Sequence, residues 1–544
     1  MADQIMAESK TRKPGLLRRI FWWLWVILLT ALLALGFVFS APWKVITLIA
    51  TFLAAATILP RIYRKWFWLA VGLVVLSLIV WIFLPDDNKG WKPYQFDKEL
   101  AQFQARYAVP DSENAAIIYN QILTDWKQKE ANEPNLPRDW FSLVKYGPWL
   151  SKDQPEVAVH IKYYQDTIDQ LAQTVPFKRC TFPIPANIIV YGEQLDRYSA
   201  MRKWAYLLIA AGNNNIAEGN VNEAIEKYFT VIRLGQHECQ QPTPIDMLVG
   251  IAIEALAMSR INDFVVCGDT NEFYLAKLEQ GVSEIKHDWN SDLTGFIDSD
   301  KIFLKNLWGL MCYQINAQGK IRFSHDPTET IREQSKKVLG DASPDTNYIF
   351  SGYWWKKLMK ACSIPYWFYM PATPEKLGEI IDKSFEKHYL MTKPDFDWHK
   401  ESKIPPEFHY KINLQQLAEL MAQINKSVYL GLHDNYLDIA AQQKGTLLII
   451  AMKRYKNTNG YWPEKLEDIK YLVPAEMFVD PINGDSFVYK RTEENFTLYS
   501  KGKNGIDDGG KGYSNAKDKG EPDDLLIWPH KSKVSRQQEQ KTEN

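Results

Sequence analysis

The sequence has little cysteine and no cysteine motif. Its 544 residues include five, Cys180, Cys239, Cys267, Cys312 and Cys362, spaced too widely for a CxxC redox centre or a zinc knuckle. An odd count leaves at least one thiol outside any disulfide, and Cys239 and Cys267 lie in apolar helical contexts that favour a buried free thiol. Also missing are G-x-S-x-G, H-E-x-x-H and the glycine patterns of phosphate- and dinucleotide-binding folds. The stretch KGKNGIDDGGKG is rich in glycine, but no helix follows it to cradle a phosphate, and EF-hand spacing does not occur. Excess charge of one sign is absent too: 64 Lys+Arg stand against 65 Asp+Glu, a net −1. Strand-type alternation is nearly absent before residue 480. What is abundant is apolar residues, 46% of the chain, which excludes wholesale disorder.

The neutral total conceals a split. Residues 1–85 hold nine basic and two acidic residues, a surplus of seven positive charges, so the remaining 459 residues carry a surplus of eight negative ones. An acidic body argues against nucleic acid as a partner, because that affinity rests on Lys and Arg neutralising phosphates. The basic head carries three apolar runs, Ile20–Trp43, Val45–Pro60 and Trp66–Pro85. The first and third are long enough as helices to cross a hydrocarbon core of about 30 Å. The second, about 24 Å long as a helix, is extended by the interfacial Trp43 and the snorkelling Lys44. Seven Trp lie in this head, most near the run ends. Lys10, Arg12, Lys13, Arg18 and Arg19 precede the first run, and Arg61, Arg64 and Lys65 separate the second from the third. The positive-inside rule therefore predicts a cytoplasmic tail (1–19), three transmembrane helices (20–85) and everything from Asp86 onward on the far side. The expected setting is a bacterial inner (cytoplasmic) membrane, with the lipid bilayer as first partner.

The body is expected to be mainly α. A linker (86–95) leads into an α-helical extracytoplasmic domain (96–445). Helical spacing recurs near 155–174, 195–217, 221–238, 243–266, 297–316, 374–390, 413–430 and 433–456, and an earlier helix should be capped by Asp111 or Ser112. Within this body, residues 203–240 resemble a tetratricopeptide-type helical hairpin, with Gly219 at the turn, Ala224 at a close helix contact and Tyr228 one turn later. No second copy follows at a 34-residue period, so a single hairpin of an irregular helical domain is the expectation.

The C-terminal module (446–530) carries the most specific pattern, and a disordered tail (531–544) is expected after it. A long helix ends at the Asn459-Gly460 stop. Pro463 opens the short helix PEKLEDI. Turns follow at Asp480-Pro481 and Asn483-Gly484. The strands SFVYK and NFTLYS lead into a Gly/Asp-rich loop, and LLIW closes the module. This order resembles the C-terminal part of the major pseudopilins of type II secretion systems, over about 80 residues. The resemblance implies a loop folded over Ca²⁺, and the positions that fit its ligands are Ser500, Asn504, Asp507, Asp508, Asp523 and Asp524. That chemistry is sound, since calcium takes about six to eight oxygens from carboxylates and carbonyls. Three departures count against a processed filament subunit. The head has three spans, the peptidase site is absent, and some 360 residues separate span from module. The combination of multi-span head, helical body and this ending also resembles large groups of membrane proteins of planctomycete-type bacteria.

The reading that follows is a non-enzymatic envelope scaffold or interaction protein with envelope protein partners, near a secretion or pilus-like apparatus. The rivals are an envelope hydrolase with its site in the helical body and a calcium-dependent sensor or adhesion protein. Two spots deserve inspection for chemistry: Asp395, Asp397, His399 and His409, and His287-Asp288 beside Trp289.

Overall fold

A computed structural model describes residues 90–133, 136, 140, 147–184, 192–323, 373–393, 395–398, 414–512 and 522–529. The three expected spans, the basic tail and the C-terminal tail lie outside the described residues. Among the described residues no helix is long and apolar enough to cross a membrane. Eleven α-helices and two small antiparallel sheets are described, so the body is mainly helical.

The helices are α1 (Asp97–Tyr107), α2 (Ala116–Glu130), α3 (Pro155–Tyr163), α4 (Gln165–Ala172), α5 (Gly192–Ala217), α6 (Val221–Cys239), α7 (Pro244–Cys267), α8 (Glu272–Ser283), α9 (Trp289–Cys312), α10 (Pro374–Phe385) and α11 (Leu414–Asn459). Local signals explain where many begin. Thr243 accepts from the Asp246 amide while Asp246 reaches back to the Thr243 amide, a reciprocal cap reinforced by Pro244 at the first position. Asn271, Asp288 and Thr373 cap α8, α9 and α10 one way only, each side chain accepting from the amide three residues on. The start of α2 differs from expectation. Asp111–Glu113 form a short 3₁₀ turn, and the helix begins at Ala116. The buried Asn114 side chain serves there, accepting from the amides of Ala116 (3.1 Å) and Thr181 (2.9 Å), because it must also tie the strand-like 179–181 segment to the helix.

Helices α5 and α6 form the expected hairpin. Gly219 turns it with φ +84°, a conformation that L side chains disfavour. Ala224 is buried, and Tyr228 packs on Gly212 and donates to Asn213 at 2.8 Å. Helix α7 packs on α6, and α11 packs on α7. The two helices expected at 413–430 and 433–456 are one, and it runs unbroken across residue 445. Its end matches expectation: Gly460 takes φ +85° and donates to the Lys456 carbonyl at 2.8 Å.

One apolar core joins body and module, from Ala115 at the N-cap of α2 to Trp528. Within it, Tyr119 stacks near Trp204, and Trp126 stacks on Tyr164 at 4.5 Å between ring centroids. The module's sheet has strands β4 (Val488–Arg491), β5 (Phe496–Ser500) and β6 (Leu525–Trp528), with β5 central. Phe496 of β5 packs against Trp462 and against Trp528 of β6. Polar ties seat the module on the body: Lys444 donates to the carbonyls of Glu476 and Val479, and Lys503 pairs with Asp434. From the other side of α11, Arg454 pairs with Glu272 and Glu279 of α8.

The second sheet was not foreseen. Strands β1 (Trp91–Pro93), β2 (Tyr313–Asn316) and β3 (Ile321–Phe323) pair in that order, with Trp91 opposite Asn316. Residues expected to be linker and helix end thus form strands. Three or four residues carry almost no periodic signal, and the pairing is long-range.

Candidate functional site

The Gly/Asp loop of the module is built by close backbone approach. Gly502, at φ +64°, lies against Asp523 so tightly that a Cβ there would collide with its carboxylate and backbone oxygen. Gly512 lies in the same way against the Asp524 carbonyl. These contacts, and the pairing of Ser500 with Leu525, bring the two ends of the loop together.

Of the six sequence candidates, the fold brings three together. Asp508, Asp523 and Asp524 converge, each with a carboxylate oxygen within 4.8 Å of the others. Asp523 Oδ2 accepts from the amides of Lys503 (3.0 Å) and Asn504 (3.2 Å), and Asp524 Oδ2 accepts from the Gly510 amide (2.8 Å). The other oxygens, Asp523 Oδ1 and Asp524 Oδ1, are buried with no hydrogen-bond partner. Asp524 is only 4% exposed. Burial raises its carboxyl above the usual range, and the neighbouring carboxylates Asp508 and Asp507 push the same way. Asn504 stands at the margin: its Oδ1 accepts from the Ile506 amide at 2.6 Å, and its Nδ2 lies 3.5 Å from Asp508.

The remaining two candidates are engaged elsewhere. The Ser500 hydroxyl accepts from the Gly502 amide at 3.0 Å and bonds the buried Asp480 carboxylate. Asp507 accepts from Tyr499 and pairs with Lys490 at 3.0 Å; the Tyr499 bond and then Lys490 hold its carboxyl below the usual range. It is therefore Asp508, not its neighbour, that turns inward. Three carboxylates and two orphaned buried oxygens fit a hard cation, which would supply charge neutralisation and fix the loop against β5 and β6.

The helical body holds other buried polar groups. Arg197, on α5, sits between Glu238 and Asp246 beside Phe182 and Gln241. Both acids are fully buried, and burial raises both carboxyls. His237 is fully buried as well, and burial lowers its imidazole to about 4. Its Nε2 lies 2.9 Å from the Phe177 carbonyl, an acceptor only, so Nε2 carries the proton and Nδ1 accepts from the Tyr119 hydroxyl at 2.8 Å.

Of the two inspected spots, His399 and His409 lie outside the described residues, and Asp395 and Asp397 lie in a loop beside Trp398, which stacks on His433 at 4.0 Å. His287 does reach a carboxylate, but one that sequence reasoning missed: Glu254 of α7, 2.9 Å away. Asp288 caps α9. No spacing rule connects Glu254 to His287. The one available signal was an acidic residue in the otherwise apolar IAIEALA run. No family model, no curated protein and no solved structure matches the chain.

Proposed function

We propose that the chain is a membrane-anchored envelope scaffold whose C-terminal module is clamped by calcium onto an extracytoplasmic helical body. The observation that carries the reading is the convergence of Asp508, Asp523 and Asp524 with two buried, partnerless carboxylate oxygens. Unpaired buried carboxylate oxygens are costly, and a cation is their natural partner. The pseudopilin-like order of strands and turns around the loop supports calcium over other cations, and so does the all-oxygen donor set. The three charge-free runs in residues 20–85 and the basic residues that flank them support the anchor and its orientation. The core shared by body and module supports a structural role, because a fixed loop geometry is transmitted to α11 through Lys503–Asp434.

Calorimetric titration of the intact chain in detergent with Ca²⁺ tests the site. Saturable heat at one equivalent, abolished by Asp508→Ala, is the expected result. Absence of heat and of any thermal shift removes the calcium clamp. A reporter fused after residue 90 tests the setting: an extracytoplasmic signal is expected, and a cytoplasmic one overturns the topology.

A further inference from the structure

A second cluster lies inside the helical body and owes nothing to the terminal loop. Cys239 is the last residue of α6, Glu254 lies in the middle of α7, and His287 precedes α9. One ligand atom from each, a thiol sulfur, a carboxylate oxygen and an imidazole nitrogen, lies within 4.8 Å of the others. Cys239 and Glu254 are buried, Glu254 completely, and the His287 side chain is 10% exposed.

The cluster is produced by a close crossing of α6 and α7. A Cβ on Gly250 would strike Cys239 Sγ, and a Cβ on Gly235 would lie 2.6 Å from Glu254 Cγ. Both glycines thus remove the bulk that would otherwise keep the thiol and the carboxylate apart. The hydrogen bonding is incomplete. Glu254 Oε2 meets His287 Nε2 at 2.9 Å, but Glu254 Oε1 is buried with no hydrogen-bond partner. Cys239 Sγ makes a long contact, 3.8 Å, with the Met247 carbonyl. A Glu254–His287 pair alone accounts for one carboxylate oxygen and leaves the other orphaned, at a cost that buried carboxylates rarely bear.

The geometry points to a binding site for a thiophilic divalent transition ion, zinc by its donor set, formed by Cys239, Glu254 and His287. Sulfur, imidazole nitrogen and carboxylate oxygen are the three donor types of zinc sites, whereas calcium and magnesium take oxygen alone. Binding requires the Cys239 proton to leave for solvent and His287 to present an unprotonated Nε2 to the ion. Three protein ligands fill zinc's preferred tetrahedron in part. Asp292, one turn into α9, lies close enough to Cys239, Glu254 and His287 to interact electrostatically with each. Such an ion would pin α6, α7 and the segment entering α9 at one point.

Cobalt reports the site directly, because a thiolate bound to Co²⁺ gives a charge-transfer absorption that oxygen ligands do not. The intact chain is stripped with a chelator under mild denaturation and refolded with Co²⁺ as the sole transition ion. One equivalent of bound cobalt with a thiolate band is expected, displaced by Zn²⁺ and untouched by excess Ca²⁺. Cys239→Ser should abolish the band, and Cys267→Ser should leave it intact. Lack of a thiolate band in the wild-type chain overturns the site, as does a band that survives Cys239→Ser. If Cys239→Ser does not fold, His287→Gln decides: loss of at least about tenfold in cobalt affinity supports the site, and unchanged affinity overturns it.

Discussion

Gly235 and Gly250 face each other where α6 crosses α7. A Cβ on Gly235 would lie 2.8 Å from the Gly250 carbonyl oxygen, and one on Gly250 would lie 2.6 Å from the Gly235 carbonyl oxygen. Alanine at either position gains helix propensity of up to about 1 kcal/mol. The overlap is with backbone, which cannot rotate away, so the helices must separate. Forcing methyl groups into a packed core costs about 1–3 kcal/mol or more, and the contact reaches Cys239 and Glu254 as well. Gly250→Ala should therefore lower the denaturation midpoint despite the better helix former. Chemical denaturation of the variant against wild type checks this, and an unchanged or raised midpoint refutes the close crossing.

The Tyr119–His237 bond makes a second prediction, about pH. Burial holds the folded His237 imidazole at about 4, below its ordinary 6.5. Between those values the unfolded chain binds the extra proton, so stability is lost as pH falls from 6.5 toward 4. The loss amounts to about 3 kcal/mol at most. His237→Gln should flatten that part of the stability profile. Tyr119→Phe should lower stability at pH 7 by about 1–3 kcal/mol, because Nδ1 is left buried and unbonded. Urea midpoints at pH 5 and pH 7 for the three proteins read both effects, and parallel profiles for wild type and His237→Gln would contradict the assignment.

Asp300 on α9 works in the opposite direction. Burial raises its carboxyl to about 7, and the Tyr429 hydroxyl, which donates to it at 2.6 Å, only partly offsets this. Here the folded chain holds the extra proton between about 4 and 7, so stability falls as pH rises through that window, by about 4 kcal/mol at most. Asparagine can still accept from Tyr429 and never ionises. Asp300→Asn should match wild type near pH 5 and exceed it at pH 8. Thermal melts at the two pH values test this, and a variant less stable than wild type at pH 8 would show that Asp300 is held as a useful anion.

The parts that were legible in the sequence are those whose signals are local. Gly219 turns the hairpin and Gly460 stops α11, because a positive φ is a property of one residue. Strands β4, β5 and β6 were visible for the same reason: aromatic and branched runs sit between marked turns. The sheet of β1, β2 and β3 was not visible, because Trp91 finds Asn316 only after the whole body has folded between them. Helix α11 was read as two, with the break at Gly431-Leu432. In the fold that stretch stays helical, with His433 stacked on Trp398.

The two candidate sites divide in the same way. Asp508, Asp523 and Asp524 stand in one glycine-rich loop and were reached through the pseudopilin resemblance, which named them among six positions. The Cys239, Glu254 and His287 cluster draws on three elements, and its existence depends on the Gly235–Gly250 crossing, which no linear spacing encodes.

What the resemblance could not supply for the loop is the direction of each carboxylate, and that distinction can be measured. Asp507 and Asp508 are neighbours of identical chemistry, yet Asp507 is held outward by Tyr499 and Lys490. Asp524 brings a carboxylate oxygen into the cluster, and its Oδ1 is buried with no hydrogen-bond partner. Asp524→Asn keeps the side-chain shape and an oxygen for the Gly510 amide but removes a charge from the cation's surroundings. It should weaken calcium about tenfold or more, equivalent to about 1.4 kcal/mol per decade. Asp507→Asn should leave the calcium affinity within a few-fold of wild type while loosening the Lys490 contact. Both substitutions delete one negative charge from the same loop, so a merely diffuse electrostatic attraction would weaken binding equally in the two variants. Unequal losses, with Asp524→Asn the larger, would identify directed ligation, and equal losses would reduce the cluster to an acidic surface.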